Sequence, residues 1–165
     1  MAAIDELLQR NEGYARDFQA GDLPAPPSLQ VAVVSCMDAR LDLHRILGLS
    51  EGEAHVIRNA GGVVTPEVIR SLSLSQHKLG TREVVLIQHT RCGLEGLDNE
   101  GFARELDEQT GGAERDWEVG GFADVEQSVR RSMGLVRESP FLPHTDAVRG
   151  FVYEVESGRV REVSG

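Results

Sequence analysis

Apolar positions along the chain follow two rhythms, and the places where the rhythm changes mark the elements. Residues 31–35 (Val-Ala-Val-Val-Ser) are almost wholly apolar and β-rich, the pattern of a strand covered on both faces. Residues 55–57 predict a second short strand. Residues 83–87 (Glu-Val-Val-Leu-Ile) predict a third, buried one that ends at Gln88-His89. Between the strands, apolar residues recur at helical spacing. Thr65-Pro66-Glu67 opens a helix with a capping hydroxyl, a proline at the first helical position and an acid in the first turn. That helix runs through Val68, Ile69, Leu72 and Leu79 to a stop at Gly80. Residues 41–47 predict a short helix, and residues 122–136 a longer one through Val125, Val129, Met133 and Val136. Residues 150–155 and 159–163 predict a hairpin closed at Ser157-Gly158.

Strands alternating with helices predict an α/β fold: a mainly parallel central sheet flanked by helices, with an antiparallel edge hairpin at the C-terminal end. Residues 2–20 predict an amphipathic helical arm carrying Ile4, Leu7, Leu8 and Phe18. The run Gly21-Asp22-Leu23-Pro24-Ala25-Pro26-Pro27 sets that arm apart. Arm and linker (1–27) thus belong to one domain spanning 1–165, and such an arm folds back on its own core or embraces a neighbour. Residues 95–121 are polar and contain glycines, which predicts short helices or a mobile loop. In sheets of this kind the site lies outside the carboxyl ends of the strands.

Charge narrows the partners. Seventeen Lys and Arg against 27 Asp and Glu give a net charge of -10, and the pI is near 4.9. Such a surface repels phosphates, so neither nucleic acid nor an anionic membrane is an expected partner. No apolar run approaches the ~20 residues of a membrane span, and the first ten residues lack the basic-then-apolar pattern of a leader. Two cysteines cannot build a disulfide scaffold. The expected setting is cytoplasmic and reducing, where paired Cys and His read as metal-binding or catalytic.

Both cysteines fall in polar clusters after predicted strands. In Ser35-Cys36-Met37-Asp38-Ala39-Arg40, an extended continuation turns Cys36, Asp38 and Arg40 to one side. In His89-Thr90-Arg91-Cys92-Gly93, a two-residue gap lets an imidazole and a thiolate reach one ion. Cys36, His89 and Cys92 together make a Cys₂His set with room for a fourth ligand, and two thiolates with a neutral imidazole balance the charge of Zn²⁺. Asp38 is the residue in these motifs able to close the shell, and Arg40 can hold it away through a bidentate pair. Each cluster alone is weak evidence, since a cysteine after a buried strand is usually a core residue. His44, His55, His77 and His144 lack comparable partners and read as surface or core histidines.

Taken in order, Cys36-Met37-Asp38-Ala39-Arg40, Arg58-Asn59-Ala60-Gly61-Gly62 and His89-Thr90-Arg91-Cys92-Gly93 resemble the β-class carbonic anhydrases, in their short prokaryotic branch. The resemblance runs from about residue 31 to the terminal hairpin, and Ser139-Pro140-Phe141 and Val148-Arg149-Gly150 fit it as well. It implies one Zn²⁺ per chain held by Cys36, His89 and Cys92, with Asp38 as an alternative ligand and Asp38 and Arg40 as the catalytic dyad. It implies reversible hydration of carbon dioxide to bicarbonate and a proton by a zinc-activated water. Asn59, Ala60, Gly61 and Gly93 would then frame the substrate pocket, Gly93 at the start of a helix with its N–H toward a substrate oxygen. The N-terminal helix would pack on a second subunit, making a homodimer or higher homo-oligomer. Arg91 departs from the pattern, since relatives of this branch often carry an acid there.

Three rivals differ in class. The same zinc site could hydrolyse carbon disulfide or carbonyl sulfide, because access to the metal decides between substrates. A cysteine phosphatase or rhodanese loop would need Arg at position 42, which is Asp42. A non-catalytic zinc-stabilised binding module would use Asp38 as a permanent fourth ligand, and the Arg40 partner speaks against that.

Overall fold

The computed structural model describes residues 2–165. Five strands form one sheet in the order β2-β1-β3-β4-β5, built from β1 (Val31–Cys36), β2 (Ala54–Asn59), β3 (Glu83–His89), β4 (Val148–Glu154) and β5 (Arg159–Val163). β1 pairs in parallel with β2 and β3, β3 in parallel with β4, and β5 closes the edge antiparallel to β4. The expected α/β class, parallel sheet and antiparallel edge hairpin are all present.

Period-two alternation distributes the strand side chains between two cores. Ala32, Val34, Val84, Leu86, Val148 and Val152 pack with Val68 and Leu72 of α3 (Pro66–Leu79) and with Val129, Met133 and Val136 of α5 (Val125–Arg137). On the opposite face Val33 and Ile87 pack with Leu43 and Leu47 of the short helix α2 (Leu43–Leu47). β1 is covered on both sides, so it reads as an unbroken apolar run.

The caps follow the sequence logic. Thr65 Oγ1 accepts from the Val68 N–H with Pro66 at the first helical position, and Gly80 takes the left-handed conformation, φ 76°, at the C-terminal end of α3. Residues 95–121, expected as short helices or a loop, hold the 12-residue helix α4 (Asn99–Thr110), none of whose residues is buried. Its polar composition hid it, because an unburied helix carries little apolar periodicity. No helix among the described residues is long and apolar enough to cross a membrane.

The N-terminal helix α1 spans Ala3–Arg16 and buries none of its residues. Ile4, Leu7 and Leu8 are 70%, 61% and 63% exposed. Phe18 lies beyond the helix end, stacked obliquely on Tyr14 with ring centroids 5.5 Å apart. A hydrogen bond from the Tyr14 hydroxyl to Glu51 ties the arm to the body.

Candidate metal centre

Cys36 is the last residue of β1 and His89 the last of the neighbouring strand β3, so the carboxyl ends of two parallel strands deliver both side chains. Cys92 follows three residues after His89. The chain turns back at Arg91, whose φ is 55°, and the Glu95 N–H then donates to the Cys92 carbonyl at 3.0 Å. One ligand atom from each of Cys36, His89 and Cys92 falls within 4.8 Å of the others, and all three residues are buried.

The donor chemistry suits a metal. The Nδ1 of His89 lies 2.9 Å from the Thr90 carbonyl oxygen, which can only accept, so the ring proton sits on Nδ1. Nε2 is left with its lone pair, buried and without a hydrogen-bond partner. This is the tautomer and second-atom contact that metal-ligating histidines use. Hydrogen bonding from Cys92 lowers the Cys36 thiol to about 4, with burial opposing, and Cys92 is pushed up by the same contact. Burial opposes a charge on His89, but the neighbouring Cys36 sulfur, the Thr90 carbonyl and the Asp38 carboxylate outweigh that and raise its pKa. Deprotonated sulfur is the form that binds metal.

Beside the triad, Asp38 is clamped by Arg40. Nε donates to Oδ1 at 2.9 Å and Nη2 to Oδ2 at 2.7 Å, while the Arg40 backbone N–H also donates to Oδ1 at 2.9 Å. These bonds, the side-chain ones first, hold the Asp38 carboxyl well below the usual carboxylate range. Oδ1 therefore accepts twice and Oδ2 once from Arg40, and Oδ2 is the oxygen 3.7 Å from His89 Nε2. The alternation expected after β1 reaches only Asp38, half-buried beside the triad with Met37 64% exposed. The chain then turns at Ala39-Arg40, where the Leu41 N–H donates to the Asp38 carbonyl at 3.0 Å, so Arg40 meets Asp38 from a turn and not from an extended continuation.

The segment after β2 braces this corner. The Met37 N–H donates to the Asn59 carbonyl at 2.8 Å, and Ala60–Gly62 forms a tight turn with Gly61 left-handed at φ 77°. At Gly62, φ 62°, an added Cβ would lie 2.8 Å from the Cys36 nitrogen and 2.9 Å from the Ser35 carbonyl carbon. Only glycine lets this turn press against the end of β1. Asn59 Nδ2 donates to the Val63 carbonyl at 2.8 Å, and its Oδ1 is buried with no partner.

The structure corrects the placement of Gly93. No helix begins there; Gly93 sits exposed in the turn after Cys92, and the next helix starts at Asn99. The Cys92–Glu95 turn consumes the residues that a helix start would need, so no helix dipole backs the Gly93 N–H. Sequence reasoning also passed over Arg58, whose Nε donates to the Cys36 carbonyl at 2.9 Å and Nη2 to the Asp38 carbonyl at 2.7 Å. Its place one residue before Asn59, opposite Ser35 in the sheet register, was the available signal. The other histidines stay away from the triad: His55 Nδ1 meets Ser75 Oγ at 2.7 Å, and His77 Nε2 donates to the Phe141 carbonyl at 3.1 Å.

Comparisons with known proteins agree with this architecture. The sequence profile of the family described as carbonic anhydrase matches residues 31–99. The chain is 46% identical to β-carbonic anhydrase 1 of Mycobacterium tuberculosis over 99% of both chains. It is 33% identical to a carbon disulfide hydrolase of Acidithiobacillus thiooxidans, over 98% of this chain and 90% of that one. Among solved structures, the carbonic anhydrase of Streptococcus mutans superposes with a TM-score of 0.92 at 40% identity, covering 99% of each chain. With sheet order, strand-end triad and whole-length identity all in accord, the chain belongs to the β-class carbonic anhydrase family.

Proposed function

We propose that this chain is a zinc-dependent enzyme that converts carbon dioxide and water to bicarbonate and a proton, reversibly. The observation that carries this reading is the Cys36, His89 and Cys92 triad with Asp38 Oδ2 at 3.7 Å from His89 Nε2 and clamped by Arg40. Cys36 and Cys92 as thiolates and His89 through Nε2 would hold Zn²⁺, the ion suited to mixed sulfur and nitrogen donors. When bound, zinc supplies Lewis acidity that makes a water nucleophilic near neutral pH.

The chain's own residues do the rest. Asp38, kept ionised by Arg40, accepts a hydrogen bond from the attacking water and orients it. Arg40 fixes the carboxylate and keeps it off the metal, which distinguishes an enzyme from a binding module with a closed shell. Arg58 holds the backbone that presents Cys36 and Asp38. Asn59, Ala60 and Gly61 frame the approach of a linear substrate, with Gly93 at the rim beside Cys92.

The functional unit spans 1–165 as one domain with its arm and linker at 1–27, and we place it in the cytoplasm, where a reducing setting keeps both thiols available. We further propose a homodimer in which α1 packs on a second copy of the chain. The support is the apolar row Ile4, Leu7 and Leu8, which its own chain leaves uncovered. Burying each such side chain contributes roughly 1.5–3 kcal/mol. The acidic surface gives nucleic acid no footprint.

The deciding experiment measures metal content and carbon dioxide hydration on one preparation, before and after chelation. About one zinc per chain and activity lost and regained with the metal support the reading. A fully metallated protein without hydration activity overturns it. Carbon disulfide belongs in the same assay because a relative 33% identical to this chain bears that activity in its name.

A further inference from the structure

Arg91 is one of two non-glycine residues among those described with a positive φ, the other being Gln30. A residue with a side chain holds the left-handed conformation where its surroundings over-determine it. At Arg91 both the backbone carbonyl and the side chain are held. Its carbonyl accepts from Arg40 Nη2 at 2.9 Å, the same nitrogen that donates to Asp38 Oδ2. Its side chain reaches the turn between β4 and β5, where Nε meets Glu156 Oε1 at 2.6 Å.

Glu156 is itself fixed. Its Oε2 accepts from the Thr90 hydroxyl at 3.0 Å, and that hydroxyl accepts from the Val155 N–H at 3.1 Å. The Thr90 N–H donates to the Tyr153 carbonyl at 3.0 Å. One carboxylate on the hairpin thus grips both residues that follow His89.

We propose that Glu156 is a positioning residue for the Asp38–Arg40 pair: it holds Arg91 in the left-handed conformation, and the Arg91 carbonyl in turn anchors Arg40. The inference rests on the dyad reading given above. The ion pair is exposed, with 70% and 45% of the two side chains accessible, so its worth lies in geometry and not in stability.

The test compares Glu156→Ala, Arg91→Gly and the double variant in metal-loaded protein. Glycine takes the left-handed conformation unaided, so Arg91→Gly turns the carbonyl toward Arg40 without needing Glu156. Glu156→Ala lowers kcat for carbon dioxide hydration about tenfold with KM held within about twofold, at unchanged metal content and melting temperature. The Arg40 Nε–H signal in NMR, assigned by its loss in Arg40→Lys, exchanges with water several-fold faster in Glu156→Ala. In the Arg91→Gly background the same substitution moves both readouts by less than about twofold. Unchanged kcat and unchanged exchange in Glu156→Ala overturn the proposal, as does an equal loss in both backgrounds. The exchange measurement needs no turnover, so an inactive wild-type chain would defeat the functional reading and still decide this one.

Discussion

Arg40 reaches Asp38 with two parallel hydrogen bonds, Nε to Oδ1 at 2.9 Å and Nη2 to Oδ2 at 2.7 Å, with the single residue Ala39 between them. Fork-to-carboxylate pairing of this kind fixes direction as well as charge. It keeps Asp38 from turning to the neighbouring sulfur and nitrogen donors while leaving Oδ2 facing them. We expect Arg40→Ala to reduce carbon dioxide hydration about 10–100-fold near neutral pH with metal still bound. Arg40→Lys restores part of it, because an ammonium supplies charge without the planar fork. Stopped-flow hydration assays on the two variants, beside their zinc content, check this; equal activity in Arg40→Ala and wild type refutes it.

Removing either sulfur has a different signature. Cys36→Ala and Cys92→Ala each leave two donors, and the expected result is loss of both the metal and the activity. Metal analysis after gel filtration decides, and full zinc with full hydration in either variant shows the ligand assignment to be wrong.

Gly62→Ala tests the brace behind the triad. The substitution forces a side chain into φ 62° and sets its Cβ 2.8 Å from the Cys36 nitrogen, where the obstacle is backbone. We expect a loss of about 2 kcal/mol or more in unfolding free energy and weaker metal binding, because the end of β1 must shift. Gly134→Ala is the contrast. It lies in α5 with open space around its added Cβ, and it gains roughly 0.5–1 kcal/mol from helix propensity. Denaturant melts of the two variants give opposite signs if this account is right.

Acid lability follows from Glu126, where α5 meets β5. Arg161, first, and then Arg130 hold its carboxyl below the ordinary value of 4.5. Because the folded value lies below the unfolded one, its contribution is present above the unfolded value and disappears as pH falls through the folded one. Glu126→Gln should therefore lower the unfolding midpoint at neutral pH and leave it closer to wild type in acid. Midpoints measured on metal-free protein across that range check the sign, and a constant difference at every pH would refute it.

The contrast between α3 and α4 shows what made the fold legible. α3 carries a capping hydroxyl, a proline, a buried apolar face and a glycine stop, so local chemistry and tertiary packing agree residue by residue. α4 buries nothing, so no apolar rhythm announced it. The site divides the same way. Cys36, Asp38, His89 and Cys92 were readable because strand ends put chemistry next to chemistry along the chain. Glu156 was not, since it meets Thr90 across 66 residues and nothing local distinguishes it from the other acids of the surface. Gly93 misled because a glycine after a strand-end cysteine suggests a helix start, and here the chain makes a turn instead.

Asp38 has a second place to go. Oδ1 keeps a bond from the Arg40 backbone N–H, at 2.9 Å, when the guanidinium leaves, so the carboxylate stays near the triad. Oδ2 would then lack its guanidinium partner while facing the donor set of Cys36, His89 and Cys92, with His89 Nε2 only 3.7 Å away. A carboxylate is a competent zinc ligand, so Asp38 released from Arg40 would be able to serve as a fourth ligand to zinc held by Cys36, His89 and Cys92. Since Asp38 is held well below the usual carboxylate range, it stays ionised throughout, and the exchange is not its own titration. Acid acts on the rival for that place, because water is a poorer ligand than hydroxide. Asp38 should therefore bind at low pH and return to Arg40 at high pH, giving activity that rises with pH. Arg40→Ala extends the bound state to higher pH, moving the midpoint up by about one unit. Zinc X-ray absorption at about two pH units either side of the activity midpoint reads the exchange directly. Asp38 absent from the metal at both extremes, in wild type and in Arg40→Ala alike, would dispose of the exchange and leave the clamp as a purely orienting device.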